Sequence, residues 1–327
     1  MMSAGHTTTP TAARAADTVT AATSGYNRRI KPTIIKMMST PVKKIGIAYN
    51  AQIPESKPLS GSISNFLESN GAEVMVCCPI QERTLRNRIA ENGFDALIVI
   101  GGDGTMLRAS HLCAAAEIPI VGINLGMFGF LMEVQPDEWE DFLPRLLRGD
   151  YRVEKRMLMQ AEHMRKDKVL NSSLVVNEVV VCRGQHVRPV RLEAEVDGSH
   201  MASYVADGLI ASTPTGSTAY ALAAGGAILP PDLRNIIIVP VAPHLSPDQS
   251  IILSEGAVVS IRVNTTHQAV FSVDGHLPVL MEDGDCVQVR SSDLNARYIR
   301  FRGPGYFYRT LNRYLEQNPS LPNNLRE

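Results

Sequence analysis

The chain has 327 residues, with 32 basic side chains against 33 acidic ones, 44% hydrophobic residues and 20% charged. This is ordinary globular composition with length for two domains. A near-neutral charge gives no footprint for nucleic acid, and runs such as Ala96–Ile100 fall far short of the ~20 apolar residues of a membrane helix, so neither is an expected partner.

Residues 1–44 carry seven basic residues against Asp17, a net +6, which leaves −7 on the remainder. The segment is rich in Thr and Ala and poor in large apolar groups, so residues 1–42 are expected to be a disordered tail. Met37-Met38-Ser39 repeats Met1-Met2-Ser3, which favours a tail or mis-assigned start. If residues 1–36 were instead a transit peptide, an organelle would replace the cytoplasm as the expected location.

From residue 43 strand and helix patterns alternate. Lys44–Asn50, Glu73–Pro79, Asp95–Ile100 and Ile118–Asn124 read as strands, and Ser60–Asn70, Arg83–Asn92, Thr105–Ala116 and Pro136–Arg148 as helices. This order implies a parallel sheet covered on both faces. After Arg148 the runs Leu174–Cys182, Val190–Val196, Leu209–Ser212, Asn235–Val241, Ala257–Val263, Gln268–Val273 and Cys286–Arg290 are short and β-rich. Asp197-Gly198, Asp274-Gly275 and Asp283-Gly284 are expected hairpin turns in an antiparallel sandwich or barrel. Phe307–Leu315 reads as a last helix that packs back on the first domain. Cys77, Cys78, Cys113, Cys182 and Cys286 contain no C-x-x-C and are expected to be reduced, mostly buried thiols.

Three segments suggest chemistry. Gly101-Gly102-Asp103-Gly104-Thr105 lies between a strand and its helix, where glycines admit phosphate and a helix start offers free N–H groups. An Asp there would repel phosphate unless it binds Mg²⁺ or takes the proton of an attacking hydroxyl; otherwise it caps the helix. Asp207–Tyr220 runs a strand into a hydroxyl-rich loop that offers donors for an anion or sugar, with Tyr220 able to stack on a base. Asn177-Glu178 follows an apolar run, where a carboxylate could hold a ribose diol or simply face solvent.

Together, in this order, these segments resemble the NAD kinase family from about Lys43 to about Tyr308. The resemblance rests on GGDGT at Gly101–Thr105, Asn177-Glu178, DGLI-x-STPTGSTAY at Asp207–Tyr220, Gly225-Gly226 and SVDG at Ser272–Gly275. It implies an α/β plus all-β fold: a Rossmann-like domain over 43–148, a dinucleotide-binding β-sandwich over 149–302, and a C-terminal segment from 303 packing back. The implied reaction transfers phosphate from ATP to the adenosine 2′-hydroxyl of NAD, giving NADP, with Mg²⁺ or another divalent ion carried by ATP and no protein-built metal site.

By the same resemblance Asp103 is the general base, and Gly101, Gly102, Gly104 and Thr105 form the phosphate loop. Asn177, Glu178 and Asp207 would bind ribose, adenine or carboxamide edges, and Thr218, Ala219 and Tyr220 would line the adenine region. Arg188 would lie near the dinucleotide phosphates. The chain departs from the common pattern at Ala221 and Ala223, which supply no hydroxyl, and at His276, where Gln is frequent and which reads as a solvent-facing turn residue. Ala223 and His276 are nonetheless expected at the NAD site. A dimer or tetramer is expected. A lipid kinase sharing GGDGT and a non-catalytic dinucleotide-binding regulator are the rival readings.

Overall fold

In a computed structural model that describes residues 40–126 and 129–316, the first half alternates as expected. It comprises β1 (Lys44–Tyr49), α1 (Ser56–Ser69), β2 (Glu73–Pro79), α2 (Arg83–Ala90), β3 (Ala96–Gly101), α3 (Asp103–Cys113), β4 (Ile120–Asn124) and α4 (Trp139–Arg148). The strands pair in parallel in the order β2-β1-β3-β4. Every position of β3 is buried. Leu97 and Val99 enter one apolar cluster, and Ala96, Ile98 and Ile100 enter another on the opposite face, as a central parallel strand must. Helix α1 starts four residues before the predicted Ser60, because Pro58 falls in its first turn, where a missing N–H costs nothing.

The second half is β5 (Arg152–Arg165), β6 (Lys168–Val175), β7 (Glu178–Arg183), β8 (Val190–Val196), β9 (Ser199–Ala206), β10 (Gly208–Ser212), α5 (Tyr220–Ala223), β11 (Asn235–Val241), β12 (Ile251–Ser254), β13 (Val259–Val263), β14 (Ala269–Val273), β15 (Val279–Met281), β16 (Cys286–Arg300) and α6 (Tyr306–Glu316). Strands β12-β11-β10-β7-β14-β15 form a six-stranded antiparallel sheet. It faces β5, β8, β9, β13 and β16 across a core that includes Met157, Val181, Leu192, Tyr204, Ile238 and Val287. The fold class is thus a Rossmann-like α/β half followed by a β-sandwich.

The two halves share hydrogen bonds. Tyr298 of β16 pairs in parallel with Ile120 of β4, so the Rossmann strands and one sandwich layer form a single ten-stranded sheet. The described residues all fall within one compact unit. Helix α6 packs on the loop after β4, with the Phe130 ring 6.1 Å from Phe307 and 5.3 Å from Tyr314.

Several expectations change. Residues 1–39 and 317–327 lie outside the described residues. Thr40–Val42, inside the expected tail, are held: Tyr151 donates to the Thr40 carbonyl at 3.0 Å and Val42 is buried. Of the three Asp-Gly pairs only Asp197-Gly198, both at positive φ, closes a two-residue hairpin, between β8 and β9. Asp274-Gly275, also at positive φ, opens the longer loop of the β14–β15 hairpin as expected, and Asp283-Gly284 crosses between sheets. Strands β5, β9, β12, β15 and all but the last two residues of β6 lie outside the predicted runs. Cys77 is exposed and Cys78 and Cys182 are half-buried, leaving Cys113 and Cys286 as the buried thiols. No described helix is long and apolar enough to cross a membrane.

Candidate active site

Gly101 ends β3, Gly102 caps α3, and Asp103 is the first helical residue. Asp103 is therefore not the N-cap. Its carboxylate accepts three backbone amides from the loop after β4: Phe130 at 2.8 Å, Leu131 at 3.1 Å and Met132 at 3.3 Å. A Cβ on Gly129 would lie 2.3 Å from that carboxylate, so only glycine lets the loop close on it. Gly104 is exposed beside it, while Thr105 is buried and its N–H returns to the Gly102 carbonyl. Sequence reasoning missed this second loop, whose signal was the Gly126 and Gly129 pair following β4.

Asp274 is the other hub. Its carboxylate, without solvent exposure, accepts the amides of Val176 at 2.7 Å, Asn177 at 2.7 Å and Glu178 at 2.9 Å, together with His111 Nε2 at 2.7 Å. This breaks the predicted single strand Leu174–Cys182 into β6 and β7, since amides bound to a carboxylate cannot pair with a strand. His111 lies on α3, so Asp274 ties the Asp103 helix to the Asn177-Glu178 turn. The His276 ring, on an exposed residue, sits 5.4 Å from that of His111.

Glu178 is buried rather than solvent-facing. Burial, then the Asp274 charge, push its carboxyl up to about 8, against a backbone hydrogen bond from Tyr220. Its Oε2 is buried with no hydrogen-bond partner. A buried acceptor left unpaired costs ~1–3 kcal/mol, which a ligand donor would relieve. Close by, Asp207 is half-buried and ion-paired to Arg183 at 3.0 Å. Both contribute to the charge environment of the exposed Tyr220 hydroxyl, as does Glu178.

The hydroxyl-rich loop does not offer the donors expected of it. Thr213 Oγ donates to the Val176 carbonyl, Ser212 Oγ to Asn177 O and Ser217 Oγ to Pro214 O. Thr218, half-buried, donates to Thr215 O. The Thr213 and Ser212 bonds pin the loop to the turn that carries Asn177, and the other two close the loop on itself. Gly216 completes the fit, because a Cβ there would meet the Asn177 carbonyl at 2.2 Å. The chain then makes a 3₁₀ turn, Gly216–Thr218, and the one-turn helix α5. Ala219 leads into α5 and an exposed Ala223 ends it.

Residues 28–151 match the ATP-NAD kinase N-terminal domain and residues 176–301 the ATP-NAD kinase C-terminal domain. A NAD kinase of Dehalococcoides mccartyi is 35% identical over 277 residues, covering 84% of this chain and 97% of that protein. One of Heliobacterium modesticaldum is 36% identical over 283 residues, covering 84% and 98%. The chain belongs to the NAD kinase family. Its fold matches yeast NADH kinase complexed with NADH at a TM-score of 0.76, with 22% identity and coverage of 87% of this chain and 91% of that one. It also matches a NAD kinase from Archaeoglobus fulgidus in complex with ATP at 0.66, with 24% identity and coverage of 82% and 97%.

Within this NAD kinase fold the expected site residues meet unequally. Asn177, Glu178 and Tyr220 are joined by the bonds above, Thr218 and Ala219 lie in the loop pinned to Asn177, Asp207 adjoins them, and His111 and Asp274 tie the turn to the helix of Asp103. Arg188 is not brought in: it is exposed on the loop between β7 and β8, with no hydrogen bond or ion pair to the cleft. Arg183, one strand end earlier, is the basic residue placed beside Asp207.

Proposed function

We propose that this NAD kinase transfers the terminal phosphoryl group of ATP to the 2′-hydroxyl of the adenosine ribose of NAD, with Asp103 as the base. The observation that supports the reading is the double linkage through Asp274, which ties the helix opening at the glycine-cradled Asp103 carboxylate to the acidic Asn177-Glu178 turn. Phosphoryl transfer needs positioning more than covalent help from the protein. Asp103, aimed by three amides, would accept the hydroxyl proton late, as charge develops on the attacking oxygen. The Gly101–Thr105 backbone would meet the phosphates. Glu178 Oε2 and Asp207 suit hydroxyl or amide donors of the dinucleotide, which a triphosphate lacks. Mg²⁺ carried on the ATP phosphates would neutralise their charge. A cytoplasmic location and assembly as a dimer or tetramer belong to the same reading, and light scattering checks the second. An assay of NADP formation with ATP, other nucleoside triphosphates and polyphosphate in parallel tests the reaction. No NADP from any donor would refute it.

A further inference from the structure

A buried ion cluster joins β5 and β16 away from the Asn177-Glu178 turn. Arg152, Arg156 and Arg300 surround the carboxylate of Glu154 at 3.0, 2.9 and 3.3 Å. The Arg156 and Arg300 side chains are only 5% and 2% exposed. Both guanidinium groups lie over the Tyr298 ring, at 4.9 and 5.1 Å from its centroid. Glu133 is the second carboxylate whose charge reaches Arg300. Glu133 accepts the amides of Phe301 and Arg302, and Glu138 pairs with Arg302. Asp232 stands exposed at the rim. Three cations therefore share the Glu154 carboxylate, with Glu133 acting on Arg300 alone, and buried charge in excess of its counter-ions is costly. Each guanidinium has five N–H donors, more than these bonds, the Arg152 bond to Arg302 O and the Arg300 bond to Leu131 O use.

Beside them is a cavity of about 300 Å³, walled in part by Phe130, Pro230, Tyr306 and Tyr308. None of Asp103, Asn177, Glu178, Asp207 or Tyr220 lines it. We propose that this cavity is a second anion site, for a small organic phosphate ester whose phosphate engages the arginines and whose flat part lies on the aromatic wall. Forked guanidinium donors match phosphate oxygens. The site does not depend on the kinase reaction, yet it adjoins the base. The Leu131 peptide donates its N–H to Asp103 and accepts at its carbonyl from Arg300.

The test is calorimetric titration of the full chain with phenyl phosphate and, separately, inorganic phosphate, each with and without saturating NAD. Saturable binding of phenyl phosphate that is tighter than inorganic phosphate and persists with NAD is expected. Arg152→Gln, at a partly exposed residue outside the cleft, should weaken it about tenfold, the loss of one charge-assisted bond, with KM for ATP and NAD unchanged. Tyr308→Ser, at a residue 58% exposed, should abolish the preference for phenyl phosphate without touching the ion network. Absence of saturable binding, displacement by NAD, or equal affinity in wild type and Arg152→Gln would overturn the site.

Discussion

His111 and Asp274, 163 residues apart, meet through an Nε2–carboxylate hydrogen bond of 2.7 Å. The same carboxylate holds the amides of Val176, Asn177 and Glu178. Asp274→Asn replaces one acceptor oxygen by an amide group that opposes these donors. Each unsatisfied buried donor costs ~1–3 kcal/mol, so the variant should lose several degrees of melting temperature and raise KM for NAD above that for ATP. Equal KM values at unchanged melting temperature would deny Asp274 its hub role.

His111→Gln keeps a donor near the position of Nε2, whereas His111→Ala removes it. The glutamine variant should retain most of the wild-type KM for NAD, and the alanine variant should raise it about tenfold, as loss of one hydrogen bond to a charged group predicts. Identical kinetics in the two variants would show that the bond positions nothing.

Asp103→Asn should lower kcat by ~10²–10⁴-fold, the range for a positioned base. It should also cost some stability, because its NH₂ must face one of the three amides that now point at the carboxylate. Gly129→Ala drives a Cβ into that carboxylate, and misplacement by about 1 Å costs ~10²-fold. A near-wild-type kcat in Asp103→Asn rules out the base assignment, and one in Gly129→Ala rules out the cradle.

Glu178 supplies a pH signature. Its folded pKa of about 8 lies above the ordinary 4.5, so between these values the native state holds a proton that the unfolded chain has released. Stability therefore falls as pH rises from about 4.5 to 8, by a few kcal/mol at most, and levels off above. Glu178→Gln should lack this decline and melt higher than wild type at pH 8. Assayed above pH 8, where the wild-type carboxylate is ionised, it should also raise KM for NAD about tenfold while sparing ATP, since its NH₂ replaces the acceptor Oε2. Parallel melting curves against pH for the two proteins would contradict the buried acid.

The sequence by itself determined the parallel half and the chemistry-bearing segments. Leu97–Ile100 is apolar on both faces and flanked by helix-period runs, so local periodicity marked a central strand and the glycine loop at its carboxyl end. The hydroxyls of Ser212, Thr213 and Ser217 were legible only as residue types. That they serve the backbone rather than a ligand depends on Val176, Asn177 and Pro214 lying opposite them. Strands β5 and β16 were missed or shortened because their polar residues, Glu154, Arg156 and Arg300 among them, break the alternation while satisfying one another across the pair. Tertiary structure alone decided which side chains share a hydrogen bond. Asp103 with Leu131, Asp274 with His111, and Arg300 with Glu154 are joined by chain topology, and no pattern of period 2 or 3.6 carries information over 28, 163 or 146 residues.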